Sequence, residues 1–110
     1  MKSYTDLEQS KKLAKILPLE SADMYYEWPN KNVHFKDDKY SGMGRSCWGL
    51  AALLDVLPNC TDIVKEEADT ENEKYMCTVG VKDDIISTFG NNPVDACYEM
   101  IIKLHELNLL

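Results

Sequence analysis

The most apolar run of the 110-residue chain is SCWGLAALLDVLP, from Ser46 to Pro58, and Asp55 is its only charged residue. Apolar residues recur along this run at i, i+3, i+4 and i+7, and others fill most of the opposite side, so the pattern predicts a helix that is buried nearly all round. The Ser46 hydroxyl suits the N-cap, and Pro58 removes a donor and ends the helix. We therefore expect the other elements to pack around a central helix between Ser46 and Pro58.

A second helix is predicted near the N-terminus. Thr5 and Glu8 have the spacing of a capping box, and the helix is expected to end at about Leu17, before Pro18. The residues from Glu20 to Tyr26 are expected to add one more helical turn.

The sequence after the central run predicts strands. A short strand is expected at Asp62–Glu66. Four apolar residues then alternate at the spacing of a half-buried strand, namely Tyr75, Cys77, Val79 and Val81. A turn and the run Ile85–Phe89 complete an antiparallel hairpin.

The last helix is predicted from Pro93 to about Leu107. Asn92 is a good N-cap, and a proline at the first helical position lacks only an N–H that would have no helical partner. His105 falls on the apolar face of this helix, so we expect it in the core. Together these elements predict an α+β fold in one compact domain, residues 1–110, with three helices packed on a small antiparallel sheet of two or three strands.

Charge and composition exclude several function classes. Nineteen acidic residues outnumber twelve basic ones, and the formal net charge is −7. A surface that binds phosphates needs clustered Lys and Arg, so duplex nucleic acid is not an expected partner. No apolar run approaches the roughly 20 residues that span a bilayer, and no signal-peptide pattern is present. We expect a cytoplasmic protein that does not contact a membrane.

The cysteine and glycine patterns argue against a bound metal ion or nucleotide cofactor. Cys47, Cys60, Cys77 and Cys97 form no C-x-x-C pair and have no histidine at metal-finger spacing. We expect reduced thiols that are mostly buried. The five glycines do not form a phosphate-binding loop. No metal and no cofactor are therefore expected.

The start of the central run also allows a catalytic interpretation. Arg45-Ser46-Cys47-Trp48 resembles, in three residues, the Gly-Ser-Cys-Trp helix start of papain-like proteases. A cysteine in the first turn of a helix has a lowered thiol pKa, which favours the nucleophilic thiolate. The only later histidine, His105, is expected in the core, so an enzyme would need His34 as the base. A small hydrolase that uses Cys47 and His34 is one alternative.

Three pieces of the chain resemble a family in their order along the sequence. They are Leu7–Leu13 with Ser21–Tyr25, then Cys47–Leu54, then Asn92–Met100. Together they are similar to a group of small bacteriophage and prophage-type proteins of Bacteroides-like bacteria. The resemblance implies a mobile-element origin and a compact α+β fold, and it brings no catalytic residue.

The segment from Tyr25 to Gly44 shows no sustained period and carries several aromatic residues, so we expect an irregular loop. Its rings either form a binding wall or hold the loop on the core, because Tyr and Trp combine apolar area with a polar group. We expect a non-enzymatic phage-type protein, monomeric or homodimeric, that binds another protein. The expected binding residues are Tyr25, Tyr26, Trp28 and Trp48. Another alternative is an acidic decoy that mimics DNA, which the run Asp62 to Glu73 favours.

Overall fold

The computed structural model describes residues 2–28, 30–37, 44–66 and 74–110. Within these ranges the helices are α1 (Leu7–Leu13), α2 (Leu50–Val56) and α3 (Pro93–Glu106), and a short 3-10 turn covers Leu19–Ser21. The strands are β1 (Met24–Tyr26), β2 (Val33–Phe35), β3 (Arg45–Cys47), β4 (Thr61–Glu66), β5 (Lys74–Val81) and β6 (Asp84–Gly90).

These strands form two separate antiparallel sheets of three strands each, and this contradicts the prediction of three helices on one sheet. The first sheet has the order β2-β1-β3, and the second has the order β4-β5-β6. The first sheet escaped prediction because its strands have only three residues each, too few for a period of two to be visible. The expected loop from Tyr25 to Gly44 therefore contains the end of β1 and the whole of β2.

The predicted central helix is also wrong in its extent and burial. Helix α2 begins at Leu50, whereas Ser46 and Cys47 lie in β3, and Gly49 takes the N-cap position without a side-chain hydrogen bond. The chain stays extended before α2 because Trp48 N–H donates to Thr5 Oγ1 at 3.0 Å. The outer side of α2, which includes Leu54, is exposed. Helix α2 therefore buries one face, against α3 and the 3-10 turn.

Helix α1 is shifted and shorter than predicted. Its capping box uses Asp6 and Gln9, while the Thr5 side chain is buried and its Oγ1 is 2.8 Å from Ser10 Oγ. The helix ends at Leu13, and the expected extra turn before Tyr26 is reduced to the 3-10 turn. Thr5 does not cap the helix because its hydroxyl is used inside the protein.

The second sheet and α3 confirm the predicted hairpin and last helix. Asn92 caps α3, since its Oδ1 accepts from Asp95 N–H at 2.8 Å. The main core joins the inner side of β5 to α3 and to residues of α1 and α2. Each large side chain that is fully buried there contributes about 1.5–3 kcal/mol. His105 is exposed, so its predicted place in the core is wrong: it lies in the last turn of α3, where polar side chains face solvent.

A smaller core cluster belongs to the first sheet and consists of Met24, Tyr26 and Cys47. Partly buried residues of the N-terminal segment and α1, Tyr4 and Leu7, pack against it. In the described part of the chain, no helix has the length and apolar character that a membrane span requires.

Candidate functional site

Cys47 does not occupy the helix start that a catalytic cysteine would need. It lies at the end of β3 and is fully buried. Burial, with the nearby negative charge of Asp23, raises the pKa of Cys47 to about 12. A nucleophilic cysteine needs a lowered thiol pKa and access to its substrate. The geometry at Cys47 opposes both requirements.

The first sheet also separates Cys47 from His34. Cys47 is paired with Met24 of the central strand, whereas His34 is paired with the next residue, Tyr25. Because side chains of successive strand residues point to opposite faces, Cys47 and His34 lie on opposite faces of the sheet. His34 Nε2 is instead 2.6 Å from Glu27 Oε2. The two residues of the hydrolase hypothesis are therefore not brought together.

Two of the four expected binding residues belong to the interior. The Tyr26 hydroxyl donates to the Thr5 carbonyl at 2.8 Å, and its ring meets Tyr4 edge-on at 5.9 Å. Burial raises the pKa of Tyr26 to about 12. Trp48 is fully buried, and its indole N–H donates to Ser21 Oγ at 2.9 Å. Trp48 is therefore closed to a partner in this conformation, whereas Tyr26 keeps 8% of its surface exposed.

The other two expected binding residues lie on the β1–β2 hairpin. Tyr25 is half-buried, with its ring 5.6 Å from that of His34. Trp28 is 64% exposed in the connection between the strands. Two backbone hydrogen bonds join described residues of this connection: Glu27 N–H donates to the Asn32 carbonyl, and Lys31 N–H donates to the Glu27 carbonyl, both at 2.7 Å. The hairpin therefore presents Trp28 on hydrogen-bonded backbone.

Phe35 is a surface residue that the sequence interpretation did not select. It lies at the end of the edge strand β2 and is 69% exposed. Because Phe35 is paired with Met24, both side chains project to the same face of the first sheet. Met24 is buried on that face, whereas Phe35 is left exposed. The sequence contained no signal for this, because a phenylalanine in a short strand is read as core.

The second sheet has an outer face, which we define as the face opposite α3, and one row of residues across it is apolar. Val64, Met76 and Phe89 lie in one row across β4, β5 and β6. Directly opposite residues of antiparallel strands project to the same face. The alternation of β5 did contain this signal, because a buried Tyr75 and Cys77 place Met76 on the other side.

A charged cluster ties the N-terminal segment to α3. Lys2 Nζ lies 3.1 Å from Asp6 Oδ2, 2.8 Å from Gln9 Oε1 and 2.8 Å from Asp95 Oδ1. Burial opposes the ionisation of Asp95, but its hydrogen bonds with Lys2 and Gln9 outweigh that effect and lower its pKa. An ammonium group has three donors, and all three have partners here. The cluster is therefore a structural link rather than an anion site.

The remaining expectations concern metals and the acidic run. No group of three potential metal ligands occurs among the described residues. Asp62 and Glu66 lie in β4, whereas the rest of the acidic run, residues 67–73, lies outside the described residues. The decoy hypothesis therefore stays a prediction.

Comparisons with protein-family models, with curated proteins and with solved structures found no match to this chain. The resemblance to phage and prophage-type proteins thus stays a prediction from sequence. Function has to be inferred from the surfaces described above.

Proposed function

We propose that this chain is a non-enzymatic protein of phage or prophage type whose β1–β2 hairpin binds another protein. The observation that carries this proposal is Trp28, which is 64% exposed on the β1–β2 hairpin. Tryptophan is among the residues most enriched at the energetic centres of protein interfaces, because one ring fills a large apolar pocket and keeps a polar N–H.

The surroundings of Trp28 support an anchor role. Glu27 N–H and Lys31 N–H hold the turn closed through backbone hydrogen bonds. A partner would therefore lose little free energy in ordering this segment. Lys31 Nζ lies 5.7 Å from the centre of the Trp28 ring, and the Glu27–His34 pair lies nearby, so polar groups border the ring. An apolar anchor with a polar border is typical of protein interfaces.

The experiment uses a photo-crosslinking amino acid at Asn30, which is exposed in the same connection and leaves Trp28 intact. After irradiation in the producing cells, we expect a discrete adduct with one partner. Trp28→Ala should reduce its yield about tenfold, the scale of an interface hot spot. Leu19→Ala is the matched control, because Leu19 is a large apolar residue, also exposed, on a different element.

A second crosslinker at Lys103, on the exposed side of α3, controls for random capture. The proposal is contradicted if positions 30 and 103 give the same adducts, if position 30 gives none, or if Trp28→Ala leaves the adduct unchanged.

A further inference from the structure

The outer face of the second sheet carries an apolar row, Val64–Met76–Phe89, on a different sheet from Trp28. Val64 and Phe89, at the two ends of the row across the sheet, are 47% and 44% exposed. On β5, next to Met76 on this face, Thr78 has a buried Oγ1 that finds no hydrogen-bond partner among the described residues. Neighbouring side chains therefore cover this hydroxyl oxygen and keep water from it.

Acidic side chains border this row on the edge strand. The outer-facing residues of β4 are Asp62, Val64 and Glu66, so a carboxylate stands on each side of the valine. Within the described residues, neither carboxylate forms an ion pair. Lys74 is placed over the Phe89 ring, with Nζ 4.7 Å from its centre. The net charge of −7 adds a long-range attraction for cations.

We infer that this outer face binds a basic amphipathic helix of another protein. The apolar stripe of that helix would cover the row Val64–Met76–Phe89, and its Lys or Arg side chains would reach Asp62 and Glu66. Charge complementarity of this kind accelerates association and selects the partner. This surface goes beyond the hairpin of the proposed function and does not depend on it.

The dimensions of the face fit one helix. Three strands spaced about 4.8 Å apart give a surface roughly 10–14 Å wide, and a helix with its side chains is about 10–12 Å across. The 14-residue helix α3 already covers the opposite face of the same sheet. A helix on the outer face would repeat that arrangement and give the sheet a second cover.

A second copy of the chain fits less well. Two chains of net charge −7 repel each other. With strands about 23 Å long, the face has an area of roughly 300 Å², which is well below the about 800 Å² per partner in a standard interface between two folded proteins. A small face with an acidic border therefore favours a single cationic helix.

The test titrates the full chain with two helical peptides of about 18 residues, which are long enough to run the length of the strands. One peptide has Leu on one side and Lys on the other, and its control replaces every Lys by Glu. Two-dimensional amide NMR follows both titrations. We expect the Leu/Lys peptide to shift the amide signals around Val64, Met76 and Phe89, and the Leu/Glu peptide to leave them unchanged.

Two sets of variants test the two parts of the surface. The double variant Val64→Thr/Phe89→Thr keeps residues that favour strands and should weaken the Leu/Lys peptide about tenfold. Asp62→Asn/Glu66→Gln removes the two charges with little change of side-chain shape and should weaken binding about threefold, and the loss should disappear in about 0.5 M salt. The second set stays informative if the first does not fold. Trp28→Ala should have no effect on this peptide.

The inference is overturned if the two peptides bind equally, if the shifts lie elsewhere on the chain, if the Leu/Lys peptide does not bind, or if both double variants bind like the natural chain. None of these results bears on the crosslinking at the hairpin, which uses a different surface and a different variant.

Discussion

The two sheets of this protein are built in different ways. Strands β1, β2 and β3 have three residues each, whereas β4, β5 and β6 have six to eight. The second sheet buries the alternate residues of β5 under α3 in the main core. The first sheet has only a small cluster of its own. The difference shows that a sheet can be predicted from sequence when its strands are long and a helix covers it. A sheet of short strands needs another source of stability.

In the first sheet that source is a set of buried polar contacts around Thr5. Its Oγ1 accepts from Trp48 N–H at 3.0 Å, its carbonyl accepts from Tyr26 Oη–H at 2.8 Å, and its N–H donates to the Trp48 carbonyl at 2.9 Å. The second sheet is held mainly by apolar burial. Changes of side-chain volume should therefore act on the second sheet, and loss of a hydroxyl should act on the first.

The largest effect is expected from Leu104→Ala in α3. Leu104 is fully buried in the main core, so its truncation removes apolar contacts and leaves a cavity. We expect a loss of about 2–5 kcal/mol in the free energy of unfolding, measured by urea denaturation. Lys103→Ala, one residue earlier on the exposed side, should change it by less than about 0.5 kcal/mol. A loss at Leu104 as small as that of the control would refute the apolar core.

Thr5→Val should have a smaller effect that begins in the first sheet. It keeps the shape of the side chain but leaves the buried Trp48 N–H without its acceptor. We expect a loss of about 1–3 kcal/mol, the cost of an unsatisfied buried donor. Amide NMR should place the main signal changes in β1 and β3. Thr5→Ser keeps the hydroxyl and should retain most of the stability, and equal losses in both variants would contradict the role of the hydroxyl.

The charged cluster of Lys2, Asp6 and Asp95 links the N-terminal segment to α3, and its contribution should depend on pH. The folded-state pKa of Asp95 is lowered by Lys2 and Gln9 despite burial, so its stabilisation is present above the unfolded pKa of about 3.9 and is lost as the pH falls through the folded value. The pKa of Lys2 is raised by the same carboxylates against burial, so its share is lost only at strongly alkaline pH.

Asp95→Asn tests this link. Near pH 7 we expect a loss of about 1 kcal/mol in urea denaturation, since both partners are partly exposed. The difference from the natural chain should shrink below about pH 4, where Asp95 becomes protonated in the unfolded chain. A difference that does not change with pH would mean that the charge of Asp95 has no role.

The last prediction leaves the sequence unchanged. Thiol labelling of the folded chain measures how well cysteines in both sheets are buried. Cys47, Cys77 and Cys97 are buried, whereas Cys60 is exposed. Hydrogen bonding with Cys77, together with burial, raises the pKa of Cys97. Mass spectrometry after a short iodoacetamide treatment should find the label on Cys60 first. Rapid labelling of Cys47 would revive the cysteine hydrolase.

The sequence predicted those elements in which one pattern of apolar residues continues over many positions. The alternation from Tyr75 to Val81 predicted β5, because seven residues repeat one pattern. The cap at Asn92 and the long apolar face after it predicted α3. The apolar run at Ser46 misled, because its first residues pair with β1 and contact Thr5, and such tertiary contacts override local helical pattern. The same tertiary contacts determine which of the expected binding residues are exposed. Composition alone cannot distinguish the buried Trp48 from the exposed Trp28.

The central claim is that β1, β2 and β3 form a sheet of their own, the first sheet, which is less stable than the second sheet under α3. Native-state hydrogen exchange followed by amide NMR tests it directly. We predict that the amides of β5 exchange slowest, through global unfolding, and that those of β1 are protected but open at lower free energy, which Thr5→Val lowers further. Amides of β1 that exchange as fast as an unstructured chain, or as slowly as those of β5, would contradict it.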